Sequence, residues 1–427
     1  GDAYLKDYSR AEPEKFDMFS IAEQVAQGAF RAYQAIAWED WLPLDARQAE
    51  LELNIREPKV AWGKQVMAKV EAEGRAPKDL PEAYAREQLL LAQMPPTRKL
   101  KLQAIRIGSL AMVGIPCEVY AITGMRIAEN SPLAHTFTVM LANGWDGYLP
   151  PPEQMVLGGY TTWLARSSCL EIEAEPKIVA CVKQLLDDVA GDTRVMRAPP
   201  RIPPYAAAVE ASKPAVYWRL NDLDGPHAVN MMDGKELGAF ETQIAYYMPG
   251  PQAPDFPGLG RDNRAPHFIG QRLGAEIPDL GQSYSVEMWF YNCMPTDARP
   301  VTGYLFSRGP NGDHLAIGGV ECSPGRLVFH ACEDPQKAAA GTADIPLRNW
   351  VPRESWHHVA LVRDGAKVAV YLDGRIEPEL IATAPPTSSG ELWIGGRGDG
   401  QFGFEGRIDE VAVYSRALSS EEVYKIG

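Results

Sequence analysis

Residues 356–374 read Trp356-His357-His358-Val359-Ala360-Leu361-Val362-Arg363-Asp364-Gly365-Ala366-Lys367-Val368-Ala369-Val370-Tyr371-Leu372-Asp373-Gly374. Two short runs rich in β-branched and aliphatic residues, 357–362 and 367–372, flank an Asp-Gly dipeptide that suits a tight hairpin. A second Asp-Gly closes the pair. Successive strand residues point to opposite faces, so His357 and His358 do not easily share one metal, and the pair reads as structural. Upstream, 285–291 (SVEMWFY) is a third run of the same kind. Gly, Pro, Asn and Asp punctuate the spaces between such runs, and no helical periodicity intervenes. Strands at this spacing predict an all-β sandwich over 207–427.

Before that region the texture differs. Apolar residues recur at helical spacing over 16–36 (Phe16, Phe19, Val25, Phe30, Tyr33, Ile36), and 59–73 and 81–94 read as two further helices. Residues 101–107 alternate polar and apolar, 110–115 is an apolar run, and Gly108-Ser109 between them predicts a tight hairpin. A helix is expected over 119–128, a strand over 135–141 and an amphipathic helix over 176–189. Residues 1–190 therefore read as an α+β unit, a partial α/β hydrolase-like domain with its strands near the middle. The Pro-rich segment GDTRVMRAPPRIPP marks 191–206 as the linker to the sandwich.

The chain has 427 residues, 45% of them hydrophobic and 23% charged, which suits two well-packed domains. Its formal charge of −14 argues against nucleic acid and anionic membrane surfaces as general partners. No apolar run reaches the length of a membrane-spanning helix. The six cysteines form no CxxC pair. Cys322 and Cys332 flank a predicted strand that holds them out of disulfide reach, so free, mostly buried thiols are expected.

Five stretches of the second half, 216–220 (VYWRL), 285–290, 356–362, 370–374 and 406–414 (GRIDEVAVY), resemble, in order, the laminin-G-like jelly rolls of the concanavalin-like class. The resemblance implies a module that binds a glycan or a cell-surface ligand. Trp218, Trp289 and Trp356 are expected in the core between the sheets. Asp409 reads as a cap for backbone amides or as a cation ligand. Asp222 and Asp224 are further candidates for the calcium that some relatives hold at a sandwich edge.

In the first half, Pro116-Cys117-Glu118-Val119 is followed by Thr123-Gly124-Met125-Arg126-Ile127, by Asn143-Gly144-Trp145-Asp146-Gly147-Tyr148, by Pro152-Glu153 and by Gly159-Tyr160. These motifs resemble the neutral, non-lysosomal ceramidase family, zinc amidases that cleave N-acyl-sphingosine, over the C-terminal part of the catalytic domain. Tyr148 and Tyr160 stand 12 residues apart, the family's separation, whereas the 30 residues from Glu118 to Tyr148 imply a shortened loop. The resemblance implies Glu118 and Tyr148 as two of four zinc ligands, with histidines as the others. It implies Tyr160 as the hydroxyl facing the oxyanion and Arg126 as the residue that orders Glu118. Zinc in such a site polarises an amide carbonyl while the phenol donates to the developing charge. The residues alone leave other readings open: Glu118 as an acid at a helix N-terminus, both tyrosines as packing residues, Cys117 as a buried thiol or a soft ligand, and Arg126 as a solvated helix residue.

Two departures stand out. His135, inside a predicted strand, is the sole histidine before residue 200, and Gly1-Asp2-Ala3-Tyr4 aligns with the family's Gly-Asp-Val-Ser, so Tyr4 takes the place of the serine at the catalytic centre. The resemblance therefore implies an upstream polypeptide that completes the hydrolase domain and carries the histidines, and an amide or ester other than ceramide as substrate. A catalytically degenerate protein acting through its jelly roll is the competing expectation. Relatives of both halves imply a periplasmic or extracellular location.

Overall fold

A computed structural model describes residues 17–192, 202–260, 262–277, 280–309, 312–320, 323–331, 350–385 and 390–427. The chain divides into two compact units, with the boundary after Pro200.

The first unit contains α1 (Met18–Gln34), β1 (Leu44–Asn54), α2 (Val60–Ala72), α3 (Leu80–Leu91), β2 (Thr97–Ile107), β3 (Leu110–Ile115), β4 (Glu118–Val119), α4 (Ala121–Glu129), β5 (His135–Met140), β6 (Tyr148–Leu149), α5 (Pro152–Leu157) and α6 (Ala174–Ala190). One sheet has the order β1-β2-β3-β5. Its first two pairings are antiparallel and β3 runs parallel to β5. The hairpin at Gly108-Ser109 forms as expected, with Ile107 opposite Leu110 and Gly108 at φ +62°. The parallel step needs a crossover, which α4 supplies. Helix α6 lays Ile178, Val182, Leu185, Leu186 and Val189 on Leu100, Leu102, Ala104, Val113 and Ile115 from one sheet face. Such spacing buries one stripe of a helix, and each fully buried aliphatic side chain contributes about 1.5–3 kcal/mol. Arg106 closes this layer by donating to the carbonyls of Val189 and Ala190 at the end of α6, where the helix dipole favours a cation.

Two features of this unit differ from the sequence reading. Strand β1 lies in a segment, LDARQAELELN, whose Ala, Glu, Gln and Leu favour helix. Pairing along its whole length with β2, which sets Glu50 opposite Lys101 and Glu52 opposite Lys99, overrides that local preference. Helix α1 forms, capped by the Asp17 side chain on the Ser20 amide, but buries none of its residues. Its apolar stripe, read from the sequence as helical spacing, faces outward; Phe16 lies outside the described residues.

The second unit opens with α7 (Pro204–Ala211), which begins within the expected linker, because proline is favoured in a first helical turn. Strands β7 (Val216–Trp218), β8 (His227–Val229), β9 (Glu236–Phe240), β10 (Ala245–Pro249), β11 (Arg264–Ile269), β12 (Leu273–Glu276) and β13 (Ser283–Asn292) follow. They are succeeded by β14 (Val301–Ser307), β15 (His314–Gly318), β16 (Leu327–His330), β17 (Trp356–Asp364), β18 (Lys367–Leu372), β19 (Leu380–Thr383), β20 (Glu391–Ile394), β21 (Glu405–Tyr414) and α8 (Ser420–Ile426). Among the described residues these strands form antiparallel sheets of eight and seven strands. The hairpin of β17 and β18 turns at Gly365, φ +58°, as the Asp-Gly signal requires.

Alternation sorts the side chains of β13. Tyr284, Val286, Met288 and Phe290 enter the core between the sheets, where Trp218 also lies. Trp289 points the other way, into a second cluster with Tyr205, Val209, Val423 and Ile426, and Trp356 packs there too. The expectation that Trp289 and Trp356 fill the inter-sheet core is thus corrected. They lie on the outer face of the eight-stranded sheet, beneath α7 and α8, because they sit at the odd register of β13 and the even register of β17.

Candidate functional site

Strand β3 ends at Pro116, and the chain then runs alongside β6 as β4. Glu118 and Tyr148 are direct partners in this short parallel pair. Partnered residues share a face, so the carboxylate and the phenol project to the same side. The backbone makes the pairing compulsory: Glu118 N–H donates to Gly147 O at 2.8 Å, and Tyr148 N–H to Ser167 O at 2.8 Å. Gly147 has φ +84°, and a Cβ there would stand 2.3 Å from the Ser167 carbonyl oxygen, so this position tolerates only glycine.

Tyr160 arrives from a loop that begins Gly158-Gly159. The Tyr148 and Tyr160 rings meet edge to face with centroids 5.5 Å apart. The loop is anchored behind Tyr160 by Tyr120 Oη, 2.6 Å from Thr161 Oγ1, and by Arg56, which donates to Thr162 O at 2.9 Å and Ser168 O at 2.6 Å. Trp145 donates from Nε1 to Glu118 Oε1 at 3.4 Å. Burial, and then the Glu118 and Tyr160 groups, push the Tyr148 phenol above its ordinary range, so it is a hydrogen-bond donor at neutral pH.

Trp145, the donor to Glu118, also lines a cavity of about 790 Å³ whose walls include Tyr84, Met94, Arg98 and Arg166. That volume suits a small-molecule ligand. Arg98 pairs with Asp146 at 3.1 Å and Arg166 with Glu87 at 2.8 Å, so these cations are held to the cavity wall by carboxylates. The position is the carboxyl end of the parallel strands β3 and β5, where open α/β sheets commonly bind ligands.

The structure thus brings Glu118, Tyr148 and Tyr160 together. Arg126 belongs to a different contact: it donates to Glu153 Oε1 at 2.5 Å and Glu175 Oε1 at 3.5 Å, and Glu175 also accepts from Thr123 Oγ1 at 2.8 Å. Its expected role of ordering Glu118 passes to Trp145. The local sequence could not reveal that Glu175, on α6, supplies a buried carboxylate for Arg126 to meet. Cys117 is fully buried and burial pushes its thiol up, which disfavours the thiolate a metal would need. Tyr84, Arg98 and Arg166 escaped the sequence reading because they come from three separate segments.

The donor set bears on zinc. Glu118 and Tyr148 are two oxygen donors, whereas zinc takes four ligands and favours imidazole and thiolate. His135 heads β5 opposite Leu110, at the amino end of the strands whose carboxyl end holds Glu118, about 20 Å away at ~3.3 Å per residue. Among the described residues no group of three His, Cys, Asp or Glu is arranged to hold a metal. The residues present do not by themselves fit zinc. Tyr4 lies outside the described residues.

In the second unit, a register shift opposite β13 puts Glu410 at φ +51°, so that Asp409 and Glu410 are both buried. Asp409 accepts from Asn263 Nδ2 at 2.6 Å, and Glu410 accepts from the Tyr217 hydroxyl and from Arg219 at 3.2 Å. Burial and the Glu410 charge push the Asp409 carboxyl well above the usual range. Asp222 and Asp224 lie between β7 and β8, where their charges add to burial in raising the Tyr246 phenol to about 12. A cavity of about 440 Å³ walled by Tyr205, Phe256, Leu259 and Trp289 lies on the outer sheet face, with Asp255 and Lys425 in its lining. Cys169, Cys181 and Cys293 are free thiols like Cys117; Cys322 and Cys332 lie outside the described residues.

No curated protein matches the sequence. Among solved structures, domain 4 of AbnA, a GH43 extracellular arabinanase from Geobacillus stearothermophilus in complex with arabinotriose, is 19% identical. That match covers 50% of this chain and 98% of the other, with a TM-score of 0.37. The binding domain of Paraclostridial Mosquitocidal Protein 1 is 12% identical over 50% of this chain and 52% of its own, with a TM-score of 0.33. The botulinum neurotoxin serotype C1 binding domain is 11% identical over 50% and 51%, with a TM-score of 0.34. The chain spans about half the length of these toxin domains. Likenesses at this level extend to no ligand and no activity. Residues 271–424, within the jelly roll formed by the second unit, match the family model described as the concanavalin A-like lectin/glucanases superfamily.

Proposed function

We propose that the first unit is the ligand-binding part of an amide or ester hydrolase, and that the jelly roll holds the protein to a glycan or cell surface outside the cytoplasm. The observation that carries the reading is the convergence of Glu118, Tyr148 and Tyr160, with Trp145 reaching from Glu118 to the wall of the 790 Å³ cavity. In this reading Tyr160, more than half exposed, donates from its hydroxyl to the carbonyl oxygen of the substrate as charge develops there. Tyr148, kept protonated, orients that oxygen, and Glu118, held by Trp145, takes a proton from an attacking water and returns it to the departing amine or alcohol as the acyl–nitrogen or acyl–oxygen bond breaks. Zinc enters only with imidazoles from a second polypeptide, so no step is assigned to it. The aromatic cavity at Tyr205, Phe256 and Trp289 is where the jelly roll would take a sugar face.

A catalytically degenerate binding protein is the second reading, favoured by the position of His135 far from Glu118. One experiment separates the two. Zinc content and turnover of amide and ester panels are measured for the natural chain, Glu118→Ala and Tyr160→Phe. Near-stoichiometric zinc lost in Glu118→Ala, with turnover lost in Tyr160→Phe, supports the hydrolase. Absence of both zinc and turnover in the natural chain, measured with the histidine-bearing second polypeptide supplied, leaves the binding reading, tested next on glycan arrays.

A further inference from the structure

Two surfaces of the first unit are open in the described residues: an apolar stripe on α1, and a sheet face on which an apolar row is flanked by Gln48, Gln103 and the Glu50–Lys101 pair. On α1, Met18, Phe19, Val25, Phe30 and Tyr33 fall on one half of the helix and are 60–75% exposed, and Trp38 and Trp41 just beyond it are 81% and 77% exposed. On the sheet, the face opposite α6 carries an unbroken row in register across all four strands, Ala46, Ile105, Met112 and Phe137.

The amount of surface points to a protein occupant. The seven side chains named on α1 and beyond it expose roughly 1,000 Å², above the few hundred Å² of the largest patch on an ordinary monomer and near the ~800 Å² that each partner of a stable complex buries. A membrane is disfavoured, because α1 carries one acid, Glu23, and one base, Arg31, in a chain of net charge −14, whereas interfacial helices are rich in lysine and arginine. At 17 residues α1 is about 25 Å long, enough to cross four strands spaced by about 4.8 Å. Because helix and sheet face occur once each in every copy, a reciprocal exchange covers both surfaces in both copies and closes the assembly.

We infer that this chain forms a two-fold dimer in which α1 of each copy lies across the outer sheet face of the other. The test is sedimentation equilibrium of the full chain, with Phe30→Asp on the helix and Phe137→Asp on the sheet. Circular dichroism first verifies folding, which neither exposed position should disturb. The natural chain is expected to be a dimer, and either charge, present twice per dimer, to weaken it at least about 100-fold. Mixing the two variants leaves one of two exchange contacts intact, so the mixture should associate more tightly than either variant alone. A natural chain that stays monomeric to about 100 μM overturns the inference. So does a dimer indifferent to either substitution, or a mixture no tighter than its parts, which would mean that like surfaces pair. A monomer that binds neutral phosphatidylcholine vesicles through α1 would replace the second copy with a lipid surface.

Discussion

Replacing Asp313 with alanine should unfold the jelly roll at a markedly lower temperature. Asp313 lies between β14 and β15 of the seven-stranded sheet, and its carboxylate accepts from Tyr284 Oη at 2.6 Å and Arg363 Nε at 2.5 Å, both on the other sheet. Asp313 and Arg363 are essentially buried, so this group ties the two sheets together out of contact with water. Removing the carboxylate strands a guanidinium that retains the carbonyls of Gly365 and Ala384 as acceptors but no counter-charge. Breaking one side of a buried pair costs about 3–5 kcal/mol, whereas replacing both partners by apolar groups of similar volume is often neutral. For a unit of this size each kcal/mol moves Tm by about 2–4 °C, which places the shift at roughly 6–20 °C. Calorimetry on the full chain reads it, with the Asp313→Leu, Arg363→Met double variant as control. A single variant within about 2 °C of the natural chain would refute the reasoning, since a pair worth so little cannot be the desolvated clasp described here.

Gly147→Ala should separate β4 from β6: positive φ alone costs about 1–3 kcal/mol, and the clash with Ser167 O adds to it. Its signature is a lower Tm on calorimetry; an unchanged Tm would mean that the loop relaxes. Acid should weaken the second unit. Burial, with Arg407 beside His267 and Arg397 beside His330, lowers both imidazoles from 6.5 to about 4. The unfolded chain therefore binds protons first, and stability complete above pH 6.5 falls as pH drops toward 4, on the order of 3 kcal/mol for each imidazole. Urea midpoints from pH 7.5 to 4.5 check it, and His330→Gln should flatten the slope.

The local residues made much of this protein legible. Period-two alternation and Asp-Gly turns identify the sandwich and the β17–β18 hairpin, and Gly108-Ser109 identifies the β2–β3 turn, because these signals act over a few neighbouring residues. Helix α1 was legible as a helix for the same reason. Whether its apolar stripe is covered depends on what packs there, and periodicity carries no information about that. Strand β1 shows the converse: its composition favours helix, and only eleven residues of pairing with β2 make it a strand. The motif spacing singled out Glu118, Tyr148 and Tyr160, but their adjacency rests on the β4–β6 pairing and on Gly147 lying against Ser167. Arg126 parts from them because Glu175, 49 residues away, offers it a buried carboxylate. Trp289 and Trp356 belong to the outer cluster because register assigned their faces and α7 and α8 covered them. Short-range stereochemistry is written residue by residue along the chain; which faces meet is settled by contacts across tens to hundreds of residues, and those exist only in the folded molecule.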